Sequence, residues 1–180
     1  MSREPARTAL IVVAGEAERA VAPWRRRFDP QAVARRIPAH ITILFPFVPS
    51  LDVDAELVAR LRALYAPVAP FAYALASVER FPAVAWLGPE PAAPFLALIE
   101  RTYAAFPDYP PYGDPSLDPV PHCSIGVADQ PESLDAMVRA LETGLQGVLP
   151  IGCTADGMTL LEELPDGRWS TRATFPFRGP

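Results

Sequence analysis

The sequence predicts an α+β fold built from a duplicated unit of strand, helix, strand, helix and hairpin, and three observations predict it. Apolar, β-branched runs alternate with stretches whose apolar residues recur at helical spacing. Two pairs of strand-like runs are separated by turn residues, as hairpins require. The order of elements then repeats from Trp86 onward, with a histidine-led strand at the same place in each copy.

In the first copy, Thr8 to Ala14 reads as a buried strand. "EAERAVAPWRRRFDP" reads as a short helix ending near Asp29-Pro30, because proline biases the residue before it out of helical dihedrals. "HITILFPF" is a strand closed by Pro46 and Pro49. "DVDAELVARLRALYAP" has an acidic start and a stripe of Leu57, Leu61, Leu64 and Tyr65, which makes an amphipathic helix. Phe71 to Glu79 and Ala83 to Leu87 form the hairpin.

The second copy has a helix in "PAAPFLALIERTYAAF", with Phe95, Leu98, Ile99 and Tyr103 on one side, and a strand in "HCSIGVA". "PESLDAMVRALETGL" follows as a helix with Ser133 as N-cap and Leu134, Met137, Val138, Leu141 and Leu145 as its stripe. The closing hairpin, about Met158 to Leu164 and Trp169 to Phe177, surrounds a "PDG" turn. The copies share spacing but almost no residue identity. They predict one domain over residues 1–180 made of two pseudo-symmetric lobes, whose histidine strands would face each other across a cleft. The segment Phe106 to Pro121 is rich in proline and without periodicity, a kind of long loop that often belongs to a binding site.

Composition narrows the function. The formal net charge is −5 and lysine is absent. Duplex nucleic acid is bound mainly by cations that replace counterions along the phosphates, so a long duplex is not an expected partner. A small phosphate-bearing ligand is compatible. The apolar run near the N-terminus is too short for a leader and is broken by Glu16 and Glu18, and no later stretch approaches a membrane span. A cytoplasmic monomer without membrane contact is expected. Cys123 and Cys153 have neither a disulfide framework nor zinc-type spacing, and reduced core thiols are the expectation.

The two histidines of the chain share one pattern: His40-Ile41-Thr42 and His122-Cys123-Ser124. Ser and Thr make up only about one residue in twelve, so a doubled coincidence calls for a cause. Side chains at i and i+2 of a strand share a face, so each imidazole projects with its hydroxyl while Ile41, Ile43, Cys123 and Ile125 project the other way. Two imidazoles flanking one phosphorus can divide the proton transfers of an in-line displacement, one accepting and one donating. The two hydroxyls can donate to the non-bridging oxygens.

On these residues the chain resembles the 2H phosphoesterase superfamily, and within it the LigT-like 2′-5′ RNA ligase proteins, which carry two His-x-Thr/Ser-x motifs. "HITI" and "HCSI" match those motifs, and "IPAHITILFPF" and "PPYGDPSLDPVPHCSIG" resemble their surroundings. The resemblance implies a bilobed LigT-like fold with antiparallel sheets around a central cleft. It also implies metal-independent action on cyclic phosphodiesters or 2′-5′ linkages of a small nucleotide or an RNA end. His40 and His122 would be the acid–base pair and Thr42 and Ser124 the phosphate donors. Ser124 stands where many members have Thr, which keeps the donor, and Cys123 replaces an aliphatic residue.

Neither a metal nor a cofactor is expected, because no acidic or Cys residue at ligand spacing completes a coordination sphere with the histidines. Tyr112 and Phe45 are candidate substrate contacts, since aromatic rings stack on bases; for Phe45 and Trp86 ordinary core packing is the competing reading. Arg25, Arg26, Arg27, Arg35 and Arg36 form a basic cluster whose default is a solvated helix face. The rival to an enzyme is a module that binds nucleotides or RNA ends without turning them over, which binding without hydrolysis would reveal.

Overall fold

A computed structural model describes residues 6–180; residues 1–5, where the segment weighed as a leader begins, lie outside it. Eight strands form two four-stranded antiparallel sheets. The first has the order β2-β1-β7-β8, from β1 (Thr8–Val13), β2 (His40–Leu44), β7 (Gly157–Glu163) and β8 (Trp169–Pro176). The second has the order β5-β4-β3-β6, from β3 (Phe71–Arg80), β4 (Val84–Glu90), β5 (Cys123–Val127) and β6 (Ile151–Ala155). Each motif strand is therefore an edge strand, and the two motif edges, β2 and β5, touch.

The helices α1 (Glu18–Phe28), α2 (Pro30–Ala34), α3 (Ala55–Tyr65), α4 (Ala93–Ala105) and α5 (Pro131–Gly144) follow from local chemistry. Asp54 caps α3 by accepting the Leu57 N–H at 2.8 Å, and Asp29 caps α2 by accepting that of Ala32 at 3.0 Å. In α5 the expected cap is displaced. Pro131 occupies the first helical position, its fixed φ starts the helix there, Gln130 becomes the N-cap residue, and Ser133 lies inside the first turn.

The repeat of element order is real, but Trp86 does not divide the sheets. β3 and β4 are joined by a short turn and must pair with each other, which carries β3 into the second sheet. Residues 71–155 thus supply all of the second sheet, and the hairpin β7-β8 returns to complete the first. Strand β6 has no sequence signal of its own. "IGCTA" is short and contains glycine, and only pairing of Phe71–Leu75 with Ile151–Ala155 defines it.

Packing crosses between the halves. The helix that follows β1 lies against β5, and the helix that follows β4 lies against β2, so each motif strand is backed by the helix of the other half. One core runs behind both sheets, joining Ile41 and Ile43 to Cys123, Ile125, Leu75, Leu87, Phe95 and Phe175, all essentially inaccessible. Burying side chains of this size contributes about 1.5–3 kcal/mol each before entropy is counted.

Gly126 sets the closeness of α1 and β5. A Cβ there would lie 2.5 Å from both Phe28 Cβ and Met137 Sδ, and the first of these sits next to helix backbone and cannot swing aside. Gly126→Ala is accordingly expected to lower stability by about 1–3 kcal/mol, read as a reduced urea midpoint; an unchanged midpoint would mean that α1 does not press on β5 there.

Candidate active site

Alternation along the two motifs is as expected: His40 and Thr42, like His122 and Ser124, are part-exposed, and Ile41, Ile43, Cys123 and Ile125 are buried. The register adds a likeness that the sequence does not reveal. In the first sheet pairing jumps from Leu10↔Leu44 to Ile11↔Thr42, and in the second from Ala85↔Gly126 to Trp86↔Ser124. Each irregularity skips the residue after the motif hydroxyl, Ile43 or Ile125. A bulge of this kind bends and twists a strand locally, and here the same bend falls at the same place in both motifs.

The imidazoles are held alike. His40 Nδ1 lies 2.8 Å from the Pro38 carbonyl oxygen, and His122 Nδ1 lies 2.7 Å from that of Val120. A carbonyl only accepts, so Nδ1 carries the proton in each ring, and each neutral ring presents an unprotonated Nε2. The Thr42 hydroxyl then donates to His40 Nε2 across 3.1 Å. Each ring thus turns Nε2 away from its own backbone anchor, and in the first motif that atom meets the Thr42 hydroxyl.

Burial shifts both rings toward neutrality. Desolvation, with smaller contributions from the positive charges of Arg25 and His122, lowers His40 from 6.5 to about 4. The contribution of His122 to this shift places it within electrostatic reach of His40. His122 is also lowered, by desolvation, against the opposing hydrogen bond to Val120. Burial pushes the Cys123 thiol up to about 12, with the His40 backbone N–H beside it pulling the other way. Cys123 is therefore an inert packing residue that joins the motif strands, and both cysteines are free and buried.

Helix α1 braces the approach to His40. Arg25 Nη2 donates to the Ile37 carbonyl at 2.7 Å, and Glu18 Oε2 accepts the Ala39 N–H at 3.0 Å. Arg25 is only 4% exposed, so this member of the basic cluster is not on a solvated face. The spacing of Glu18 and Arg25, seven residues apart on one helix face, is the signal that the arginine run obscured.

Around His122 the structure gathers three aromatic rings. Tyr112 stacks on the imidazole at 6.2 Å and 24°, delivered by the proline-rich loop. Phe81 meets it edge-on at 4.9 Å, and Trp86 at 5.8 Å. Trp86 is nearly buried yet stands on the motif face opposite Ser124, so core packing alone does not describe it. Phe81 was not singled out by the sequence, because a phenylalanine in a turn carries no signal until its strands pair. Phe45 lies in a small apolar cluster with Ile11, Leu161 and Trp169 on the motif side of the first sheet. Strict alternation would put Phe45 with Ile43 in the core; the bulge reverses its side. Among the described residues no three His, Cys, Asp or Glu side chains converge to hold a metal ion, and no helix is long and apolar enough to cross a membrane.

Two antiparallel sheets that each offer an edge His-x-Thr/Ser strand to the other define a two-histidine, or 2H, phosphoesterase. The model of the 2′-5′ RNA ligase superfamily matches residues 13–167, and the chain belongs to that family. Its fold is that of LigT: the Escherichia coli LigT structure complexed with 3′-AMP aligns over 97% of this chain and 99% of its own with TM-score 0.63 and 19% identity. The protein TT0787 of Thermus thermophilus aligns over 96% and 98% with TM-score 0.62 and 19% identity. E. coli LigT complexed with NADP+ gives 0.59 at 18% identity, over 97% and 99%. No curated protein matches the chain in sequence.

Proposed function

We propose that the protein is a metal-independent phosphodiesterase acting on a small nucleotide, opening a 2′,3′-cyclic or related cyclic phosphate or cleaving a 2′-5′ linkage, with His40 and His122 as its acid–base pair. The observation that carries this reading is the matched pair of Nδ1-to-carbonyl hydrogen bonds, which leaves Nε2 of each ring as the atom for proton transfer. The LigT complexes with 3′-AMP and NADP+ support a nucleotide as ligand. His40, the more strongly depressed ring, stays neutral over the working range and takes the proton from the attacking oxygen. His122 gives its proton to the departing oxygen, and after turnover the two rings exchange protons with water. Thr42 and Ser124 donate to the non-bridging oxygens. Tyr112 and Phe45 are the proposed contacts to the nucleoside.

The test is hydrolysis of a panel of nucleoside cyclic phosphates and short 2′-5′ linked oligonucleotides with excess chelator present. Turnover is expected to survive the chelator. The profile of kcat/KM, which reports the free enzyme, is expected to be a bell whose acid limb reflects His40 at about 4 and whose alkaline limb reflects His122 below 6.5. An optimum above neutrality, or activity abolished by the chelator, would contradict the reading.

A further inference from the structure

A cluster of arginines not used by the two-histidine chemistry surrounds a pocket of about 450 Å³ beside His40. Its walls include Val13, the strand partner of His40, and Pro38, whose carbonyl holds His40 Nδ1. Glu18, Arg25, Arg26 and Arg36 complete its charged lining. Three arginines thus line the pocket with one carboxylate, and that carboxylate is committed: Oε2 accepts the Ala39 N–H, and Oε1 lies 3.6 Å from Arg25 Nη1. Arg26 and Arg36 form no ion pair with any described residue.

Two features mark this as more than a solvated surface. Arg25 is buried, with Nη2 donating to the Ile37 carbonyl and Nη1 turned toward Glu18, so its positive charge is fixed in the wall of the pocket. Arg36 takes a left-handed φ of 60° just past α2, where Ile37 N–H to Ala32 O and Arg36 N–H to Val33 O close a turn that ordinarily takes glycine. A residue with a Cβ costs about 1 kcal/mol more there. The chain keeps a long cation at a position where glycine would be more stable.

Planar guanidinium forks match phosphate oxygens two at a time, and an excess of two positive charges suits a dianion better than a single carboxylate. We propose that this pocket is a second anion site, which binds a phosphate or diphosphate group next to the phosphate handled by the histidines. That the group belongs to the substrate itself, as a 5′-phosphate on the same nucleotide, rests on the phosphodiesterase reading. The anion site does not.

The experiment separates the two. Inorganic pyrophosphate is titrated calorimetrically into the full chain carrying His40→Ala and His122→Ala together with Thr42→Ala and Ser124→Ala, which removes both the imidazoles and the hydroxyl donors of the phosphate site between the histidines. Binding is expected to persist, and to weaken at least tenfold when Arg26→Gln and Arg36→Gln are added. Arg36→Gly alone is expected to weaken it while raising the thermal midpoint, so that lost binding is not lost folding. Absence of binding in the variant without the histidine site, or an affinity indifferent to the arginines, overturns the site. In the otherwise native protein, KM for a nucleoside 2′,3′-cyclic phosphate is compared with and without a 5′-phosphate. A lower KM with the 5′-phosphate, lost in Arg26→Gln/Arg36→Gln, assigns the pocket to the substrate. Equal KM values with pyrophosphate binding intact assign it to a free phosphate compound. If no cyclic phosphate is turned over at all, the phosphodiesterase reading fails and the titration still decides the pocket.

Discussion

His40→Ala and His122→Ala are each expected to lower kcat on a cyclic nucleotide phosphate by about 10²–10⁴-fold, the range that a positioned general acid or base contributes. Both rings lie on the part-exposed face of their motifs, so their removal leaves the buried Ile41, Ile43, Cys123 and Ile125 in place. Thermal midpoints near neutral pH should therefore stay close to that of the unaltered protein. KM should change much less than kcat, because Thr42 and Ser124, the proposed phosphate donors, remain in either variant. The double variant should be little slower than the worse single one, since residues acting as one unit do not contribute additively. The two variants should also differ in their pH profiles. Without His40 the acid limb disappears, and without His122 the alkaline limb does. Full activity in either variant, or profiles that keep both limbs, would remove the acid–base pair from the mechanism.

How much of this was legible in the sequence depends on the range of the interaction that decides each feature. Strands β1, β2 and β5, both histidines and the helical stripes are set by periodicity over a few residues, and they stand where the sequence puts them. The existence of β6 depends on pairing between residues about 80 apart, Phe71–Leu75 with Ile151–Ala155, and the placement of the β3-β4 hairpin in the second sheet on β4 pairing with β5 about 40 residues away, neither of which leaves a local trace. The same is true inside the site. Motif spacing puts each imidazole beside its hydroxyl, but the tautomer is fixed by the carbonyls of Pro38 and Val120, and the surroundings of His122 by Phe81 and Trp86 from the neighbouring hairpin. Phe45 shows the limit most clearly. A rule of strict alternation assigns it to the core, and one skipped residue in the β1-β2 ladder sends it to the other face. Arg25 shows the reverse case, where composition suggested a solvated run and burial behind His40 gave one of its members a structural part.

Acid should destabilise the protein through the same ring that is proposed as the base. His40 has a pKa of about 4 in the folded chain and near 6.5 once unfolding exposes it. Between those values the unfolded chain holds a proton that the folded chain does not, so stability rises with pH across that window. The contribution is complete above pH 6.5, falls as the pH drops toward 4, and changes no further below that. The gap corresponds to roughly 3 kcal/mol over the whole window, and His122 acts with the same sign. Urea unfolding at pH 7.5 and 4.5 measures it. Carboxylates also titrate in this range, so the informative quantity is the comparison with His40→Gln, which retains an amide able to donate to the Pro38 carbonyl but has no proton to gain. Relative to the unaltered protein, the variant should gain roughly 2–3 kcal/mol on going from pH 7.5 to 4.5. A bound phosphate should act in the opposite direction, because a dianion beside Nε2 favours the imidazolium, and added phosphate should narrow the difference at pH 4.5. If the two proteins lose stability in parallel, His40 is not held neutral by its burial, and the assignment of His40 rather than His122 as the proton acceptor loses its physical basis.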